Sequence, residues 1–258
     1  MEKIDILSLS PETLGQYLAE MGEPKFRAKQ LFSWLHQKQV TDFAQMTTLS
    51  LQLRQKLNEK FCINRLNIAR KLASSADDTV KYLYELPDGN FVETVLMDYH
   101  HGKSLCISTQ VGCRMGCQFC ASTIAGYVRD LQPSELLLQI YETQRDAGCR
   151  IDSIVLMGIG EPLDNFDNVV QFFRLLSHPD GMNMSLRHAA LSTCGLVPQI
   201  RQLADLRLGV TLSVSLHSPE NQRRSEIMPV NRRYPVEELL DACRYYFDTT
   251  GRRVTIEY

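Results

Sequence analysis

Residues 113 to 120 read CRMGCQFC and hold three of the chain's eight cysteines, Cys113, Cys117 and Cys120, at a spacing of four and then three. Thiolates are soft ligands, so three on one short loop point to metal binding or redox chemistry. Three core cysteines are the plain alternative, but a loop that carries Arg114 and Gly116 makes a poor core. Structural zinc asks for four ligands, commonly in paired knuckles; only one such group is present, with Cys106 seven residues upstream as the nearest fourth. An iron–sulfur cube is the third reading. Thiolates are its usual ligands, and three of them leave one iron open to a substrate or cofactor.

Three later stretches could complete such a site. MGIGEP (157–162) offers glycines for close backbone approach, at Gly160 among others, and Glu161 as an acceptor for an ammonium group. LSTCG (191–195) presents Ser192, a candidate partner for a carboxylate or ribose, and SVSLHSP (213–219) presents Ser215 and His217. Singly these are ordinary strand-to-helix turns. In succession at the ends of neighbouring strands, after a cysteine loop, they compose a site.

The elements that would hold these loops can be read from hydrophobic period. Residues 1 to about 70 read as helical: Ser10 caps a helix begun by Pro11 and stopped by Gly22, Phe26, Leu31, Trp34 and Leu35 fall near one stripe, and Leu49, Leu53 and Leu57 form another. VKYLYEL and FVETVLMDY around PDGN read as a β-hairpin, followed by the strand SLCISTQ. Strands and helices then alternate to the last residue, which predicts an α/β fold: a small helical domain (1–75), a hairpin linker (76–102) and a partial (β/α) barrel with five α/β strands (103–258).

Composition narrows the class. Hydrophobic residues make up 44% of the 258, enough for a sizeable core, and no apolar run reaches the length of a membrane span. The absence of an apolar leader predicts a cytoplasmic protein, where clustered cysteines bind metal more often than they form structural disulfides. The net charge is −2, yet residues 1–71 hold eleven Lys and Arg against seven Asp and Glu. The front of the chain is thus locally basic, at Lys25, Arg27, Lys29, Arg54, Lys56 and Lys60 among others, although solvated helix faces are the simpler account of each.

The C-x3-C-x2-C spacing resembles that of the radical S-adenosylmethionine (SAM) enzymes. Along essentially its whole length the chain is similar to their dual-specificity RNA methyltransferases, through GEPKFRAKQLFSWL, FVETVLM, CISTQVGCRMGCQFCAS, MGIGEPLDN, LSTCG, SLHSP and MPVNRRYP. The resemblance implies a [4Fe–4S] cluster on Cys113, Cys117 and Cys120, with SAM contacted by Gly160, Glu161, Ser192, Ser215, Leu216 and His217. It implies Glu93 as general base and Cys106 as the cysteine that resolves a covalent protein–RNA adduct by forming a disulfide. It further implies methylation at C2 of an adenine in 23S rRNA and of the adenine beside the anticodon in tRNA, with electrons from a flavodoxin-type or other one-electron reductant, by a monomer. A radical SAM enzyme for another substrate and a zinc-stabilised RNA-binding module are the alternatives. Two departures accompany the resemblance. Ile159 stands where a second methionine is common, and the family's late methyl-carrying cysteine and a late SAM-binding asparagine have no match, Cys243 lying mid-helix. The expectation is a shortened family member that does not turn over by itself.

Overall fold

The computed structural model describes residues 3–100 and 102–258. The chain starts with the short strand β1 (Ile4–Asp5), then helices α1 (Pro11–Glu20), α2 (Phe26–His36) and α3 (Leu51–Lys60), and β2 (Phe61–Cys62), which pairs in parallel with β1. Ser10 caps α1 as its sequence suggests: the hydroxyl accepts from the Thr13 N–H at 3.2 Å, and Pro11 fills the first helical position, where no N–H is needed. The buried stripe of α2 differs from the expected one. Leu31 and Leu35 are inside, but their companions are Ala28, Phe32 and His36, while Phe26 is 57% exposed. Trp34 lies at the margin, its indole N–H donating to Thr48 Oγ1 at 2.8 Å.

Helical character ends at Lys60, short of the expected 70, and the chain enters a sheet sooner than its polarity suggests. Strand β3 (Asn67–Ala73) is exposed along its whole length. It pairs antiparallel with β4 (Val80–Glu85), which pairs antiparallel with β5 (Phe91–Tyr99) through the PDGN turn, where the Leu86 N–H donates to Asn90 O at 2.8 Å. Strand β6 (Gly102–Cys106) closes this meander, and the small hairpin β7 (Gln110–Gly112) and β8 (Tyr127–Asp130) brackets the cysteine loop.

The remainder alternates: α4 (Pro133–Ala147), β9 (Ser153–Leu156), α5 (Phe166–Ser177), β10 (Ala189–Thr193), α6 (Val197–Asp205), β11 (Thr211–Ser215), α7 (Asn221–Ile227), α8 (Val236–Thr250) and β12 (Val254–Glu257). The sheet has eight strands in the order β12-β11-β10-β9-β6-β5-β4-β3; from β6 to β12 the neighbours are parallel, as the helical crossovers between them require. This is the expected α/β architecture, with an antiparallel meander added on one side.

Register decides which side chains share a face. Val95, Cys106, Val155, Ala190 and Thr211 lie side by side across five strands. Moving two residues along adds Glu93, Met157, Ser192 and Ser213 to that face, and two more along β11 add Ser215, with Glu257 beside it. The opposite face, with Leu105, Ile154, Leu156, Leu191, Leu212 and Val214, is buried. One continuous apolar core joins it to the helical module: Phe32 and Leu35 belong to the same cluster as Leu137, Tyr141 and Phe172. Among the described residues no helix is long and apolar enough to cross a membrane.

Candidate active site

At the C-terminal ends of the parallel strands lies a cavity of about 300 Å³. Its walls include all three loop cysteines, Cys113, Cys117 and Cys120, together with Gly160, Glu161, Ser192 and Ser215. Residues from four separate segments thus meet, as the alternation of strands and helices predicts. Leu216 and His217 follow β11 at the rim. Both backbone N–H groups donate to Glu257 O, at 3.0 and 3.1 Å, and the His217 ring meets the Phe119 ring edge-on at 4.8 Å. His217 has φ of 54°, a left-handed conformation that costs a non-glycine residue about 1 kcal/mol and that neighbouring structure must hold in place. Glu93 and Cys106 share the open face but sit farther back and do not line the cavity. The Glu93 carboxylate pairs with Lys81 at 2.7 Å.

The cysteine loop is held from several sides. Its base is the β7–β8 hairpin, where a Cβ on Gly112 (φ 74°) would stand 1.7 Å from Gly126 O, so only glycine fits. Its middle leans on α7: the Gln118 N–H donates to Ile227 O at 2.9 Å, and Cys117, Cys194 and Met228 pack as a small buried cluster. Within the loop the Cys120 N–H donates to Cys117 O at 3.1 Å, and Thr123 Oγ1 donates to Cys120 O at 2.9 Å. Arg114 turns away from the cavity to Asp164, at 2.7 Å, and lies over the Tyr127 ring.

A second set of buried polar groups fixes the loops to one another. Glu161 is buried; its Oε1 accepts the Leu163 N–H at 3.0 Å and its Oε2 accepts the Cys194 N–H at 2.8 Å, tying the loop after β9 to the loop after β10. Burial pushes its carboxyl above the ordinary carboxylate range, with these hydrogen bonds pulling the other way. Gln110 accepts the Glu161 N–H at 2.8 Å and donates to Asp130 and Asp164. Gln139 of α4 brackets Ser108 on both its N–H and its C=O, and Ser108 Oγ donates to the backbone of Glu93. Gly160 owes its identity to this packing, since a Cβ there would lie 2.6 Å from Gln110 Cβ. Gly160 also lines the cavity, so it meets a neighbouring loop on one side and the cavity on the other.

Sequence reasoning missed Gln110, Gln139, Asn165, Arg224 and Glu257. For the first the requirement is physical: Gln110 is fully buried, and its amide is satisfied by the Glu161 N–H, Asp130 and Asp164. Glu257 gave no sequence signal. Its carboxylate accepts from Ser192 Oγ at 3.1 Å and from Ser215 Oγ at 3.0 Å, joining two of the expected SAM contacts inside the cavity.

The donor set suits a cluster better than a single ion. Among the described residues no three His, Cys, Asp or Glu side chains converge where one metal ion would sit. Tetrahedral zinc, with bonds of about 2.3 Å to each sulfur, needs that convergence. A [4Fe–4S] cube takes each thiolate on a different iron, so three thiols spread around one cavity match it. Burial raises the Cys113 thiol and pushes Cys117 up to about 11, so the apoprotein keeps both protonated; bound iron would convert them to thiolates. The expected disulfide is not supported: all eight cysteines are free thiols, Cys106 among them.

The basic positions of the helical module are largely engaged. Lys29 pairs with Asp180 at 2.9 Å and Lys60 with Glu20 at 3.0 Å, Lys56 donates to Met21 O, Arg54 to Ala44 O, and Arg27 to Gln30 and Thr48 O. These are exposed or half-exposed contacts of little stability, open to exchange for phosphate.

Comparison with known proteins agrees with this geometry. Residues 4–63 match the family described as the ribosomal RNA large subunit methyltransferase N-terminal domain, and residues 107–258 match the radical SAM superfamily. A probable dual-specificity RNA methyltransferase RlmN of Lachnospira eligens is 52% identical over 98% of this chain and 73% of its own length. Its namesake in Alkaliphilus oremlandii is 51% identical over 100% of this chain and 75% of its own. A crystal structure of a radical SAM methyltransferase from Sphaerobacter thermophilus superposes with a TM-score of 0.92 at 40% identity, covering 99% of this chain and 76% of that one.

Proposed function

Since the chain belongs to the RlmN-type RNA methyltransferases of the radical SAM superfamily, we propose that its cavity is the [4Fe–4S]- and SAM-binding site of an enzyme that methylates C2 of adenine in 23S rRNA and in tRNA. The observation that carries the reading is the meeting of Cys113, Cys117 and Cys120 with Glu161, Ser192 and Ser215 around one cavity. When bound, the cluster supplies the electron that generates a carbon radical from SAM. That chemistry suits the target, because C2 lies between two ring nitrogens and is too electron-poor to attack a methyl group as a nucleophile.

The protein's own groups have separable tasks. Cys113, Cys117 and Cys120 hold the cluster. Glu161 and the backbone at Gly160 shape the end of the cavity that takes the amino-acid part of SAM, and Glu161 keeps lone pairs free for an ammonium group beyond its two backbone bonds. Ser192 and Ser215 line the side toward the ribose, with Leu216 and His217 at the rim. Glu93 receives the C2 proton after releasing Lys81, whose surface ion pair is weak. Cys106 stands on the same face to resolve the adduct. The adenine must leave its stack to reach this face. The enzyme acts in the cytoplasm as a monomer and draws electrons from a flavodoxin-type or other one-electron reductant.

Anaerobic purification with iron and sulfide analysis tests the reading. About four irons with matching sulfide per chain are expected, falling to background in a Cys113, Cys117 and Cys120 triple alanine variant. One zinc without sulfide overturns it. RNA-dependent consumption of SAM then separates RNA methylation from action on a small molecule.

A further inference from the structure

Arg224 is 0% exposed, and its guanidinium is surrounded by neutral acceptors. Nε donates to Leu216 O at 3.1 Å, one terminal nitrogen to Asn231 Oδ1 at 2.9 Å, and the other to Cys194 O at 2.7 Å and Ser215 O at 3.0 Å. Arginine cannot shed its proton, so this is a full positive charge in the interior. Among the described residues it makes no carboxylate ion pair. A buried charge without a counter-charge is costly, and folds retain such a group only when something compensates it.

Three carbonyl partners account for a structural task. They belong to the ends of β10 and β11, so Arg224 staples two strands at the rim of the cavity. Neutral donors could do the same without the cost of burying a charge, and the staple therefore leaves the charge unexplained. Cysteines lie beside it on the cavity side: Arg224 donates to Cys194 O at 2.7 Å, and Cys194 packs with Cys117 and Met228 in one buried cluster. Cys194 is a buried thiol outside the cysteine loop. Cys117 is different, because it is one of the three cysteines that would hold the cluster. Its loop rests directly on α7, the helix that carries Arg224.

We propose that Arg224 is the built-in counter-charge of the iron–sulfur site, a positioning residue whose buried cation favours the one-electron-reduced state of the cluster held by Cys113, Cys117 and Cys120. The inference rests on the cluster reading of the cavity. The charge count supports it. A cube of charge +2 bound by three thiolates carries −1, and one electron from an external donor takes it to −2, with the donor oxidised by one electron and no bond in the protein made or broken. Net charge and local hydrogen bonding are among the main determinants of cluster potential. A fixed cation behind the Cys117 loop favours the more negative state, and its low-dielectric setting keeps water from screening it.

The test is an anaerobic redox titration with dithionite, followed by electron paramagnetic resonance, on the reconstituted protein and three variants, with iron and sulfide measured in each. Arg224→Lys keeps the charge and should stay near the wild-type midpoint. Arg224→Gln removes the charge and should weaken one-electron reduction about tenfold, a shift of about 59 mV to more negative potential. Asn231→Asp leaves Arg224 in place but sets a carboxylate against it, and should shift the midpoint in the same direction. A wild-type midpoint in Arg224→Gln with full cluster content overturns the proposal. So does an equal shift in the Lys and Gln variants, which would make the role one of shape. Should Arg224→Gln fail to hold a cluster, Asn231→Asp decides: a shift supports the counter-charge and an unchanged midpoint refutes it. A wild-type protein without iron and sulfide defeats the site reading itself, whereas a loaded protein with unmoved potentials defeats this inference alone.

Discussion

The helical module docks on the barrel in one way and the catalytic loops dock on each other in quite another. Where α2 meets α4, the contact is Phe32 and Leu35 in the apolar core, with His36 inserted fully buried and its Nδ1 3.0 Å from the Tyr141 hydroxyl. Where the loops after β6, β9 and β10 meet, the contact is Ser108, Gln110, Gln139 and Glu161, each bonded to the backbone of another loop, with glycines at the closest approaches. Apolar packing stabilises but tolerates small slips, while directional bonds to backbone fix positions. The molecule uses the first where two bodies must merely adhere and the second where a cofactor must be held.

Cys117→Ala gives the sharpest contrast between the regions. It should abolish cluster iron while leaving the thermal transition of the apoprotein close to wild type, and a variant that keeps its iron would break the distinction. Next in size, Gly112→Ala forces a Cβ into Gly126 O at a positive φ, and should destabilise the protein by about 4 kcal/mol and lower cluster loading, read by urea titration and iron analysis.

Leu35→Ala, in the apolar interface, should cost about 3 kcal/mol by the same titration but leave iron per folded molecule unchanged. His36 sharpens the comparison through pH. Burial drives it down to about 3 from the ordinary value near 6.5, so the unfolded chain binds its proton first as pH falls. Its contribution is complete above pH about 6.5 and drains away toward pH 3, by up to about 1.4 kcal/mol per pH unit. His36→Gln should flatten the stability profile in that window, and an unchanged slope would refute the assignment.

The smallest effect expected is at the module surface. Charge reversal of Lys25 and Lys29 should weaken RNA binding a few-fold and reduce its salt dependence by about one unit per lost phosphate contact. Unchanged affinity at moderate salt would place the RNA elsewhere.

Much of this was legible in the residues. The alternation after residue 103, the PDGN hairpin, the Ser10 cap and the grouping of three strand-end motifs with a cysteine loop all follow from local period and turn chemistry, which act over a few residues. The α2 stripe was misjudged because burial there is set by what α2 packs against, so Phe26 faces solvent and His36 does not. Strand β3 was missed because an exposed strand carries no hydrophobic alternation, and only its pairing to β4 makes it one.

Spacing along the chain thus determined that Cys113, Cys117 and Cys120 share one short loop and that glycines and serines recur at strand ends. Register and packing alone decided that Glu93 and Cys106 share a face with Ser192, that Glu257 bridges two serines, and that Arg224 is buried against the carbonyls of Cys194, Ser215 and Leu216. The reason is range: a ligand triplet is written within eight residues, whereas a counter-charge or a shared face depends on segments a hundred residues apart being brought together by the sheet.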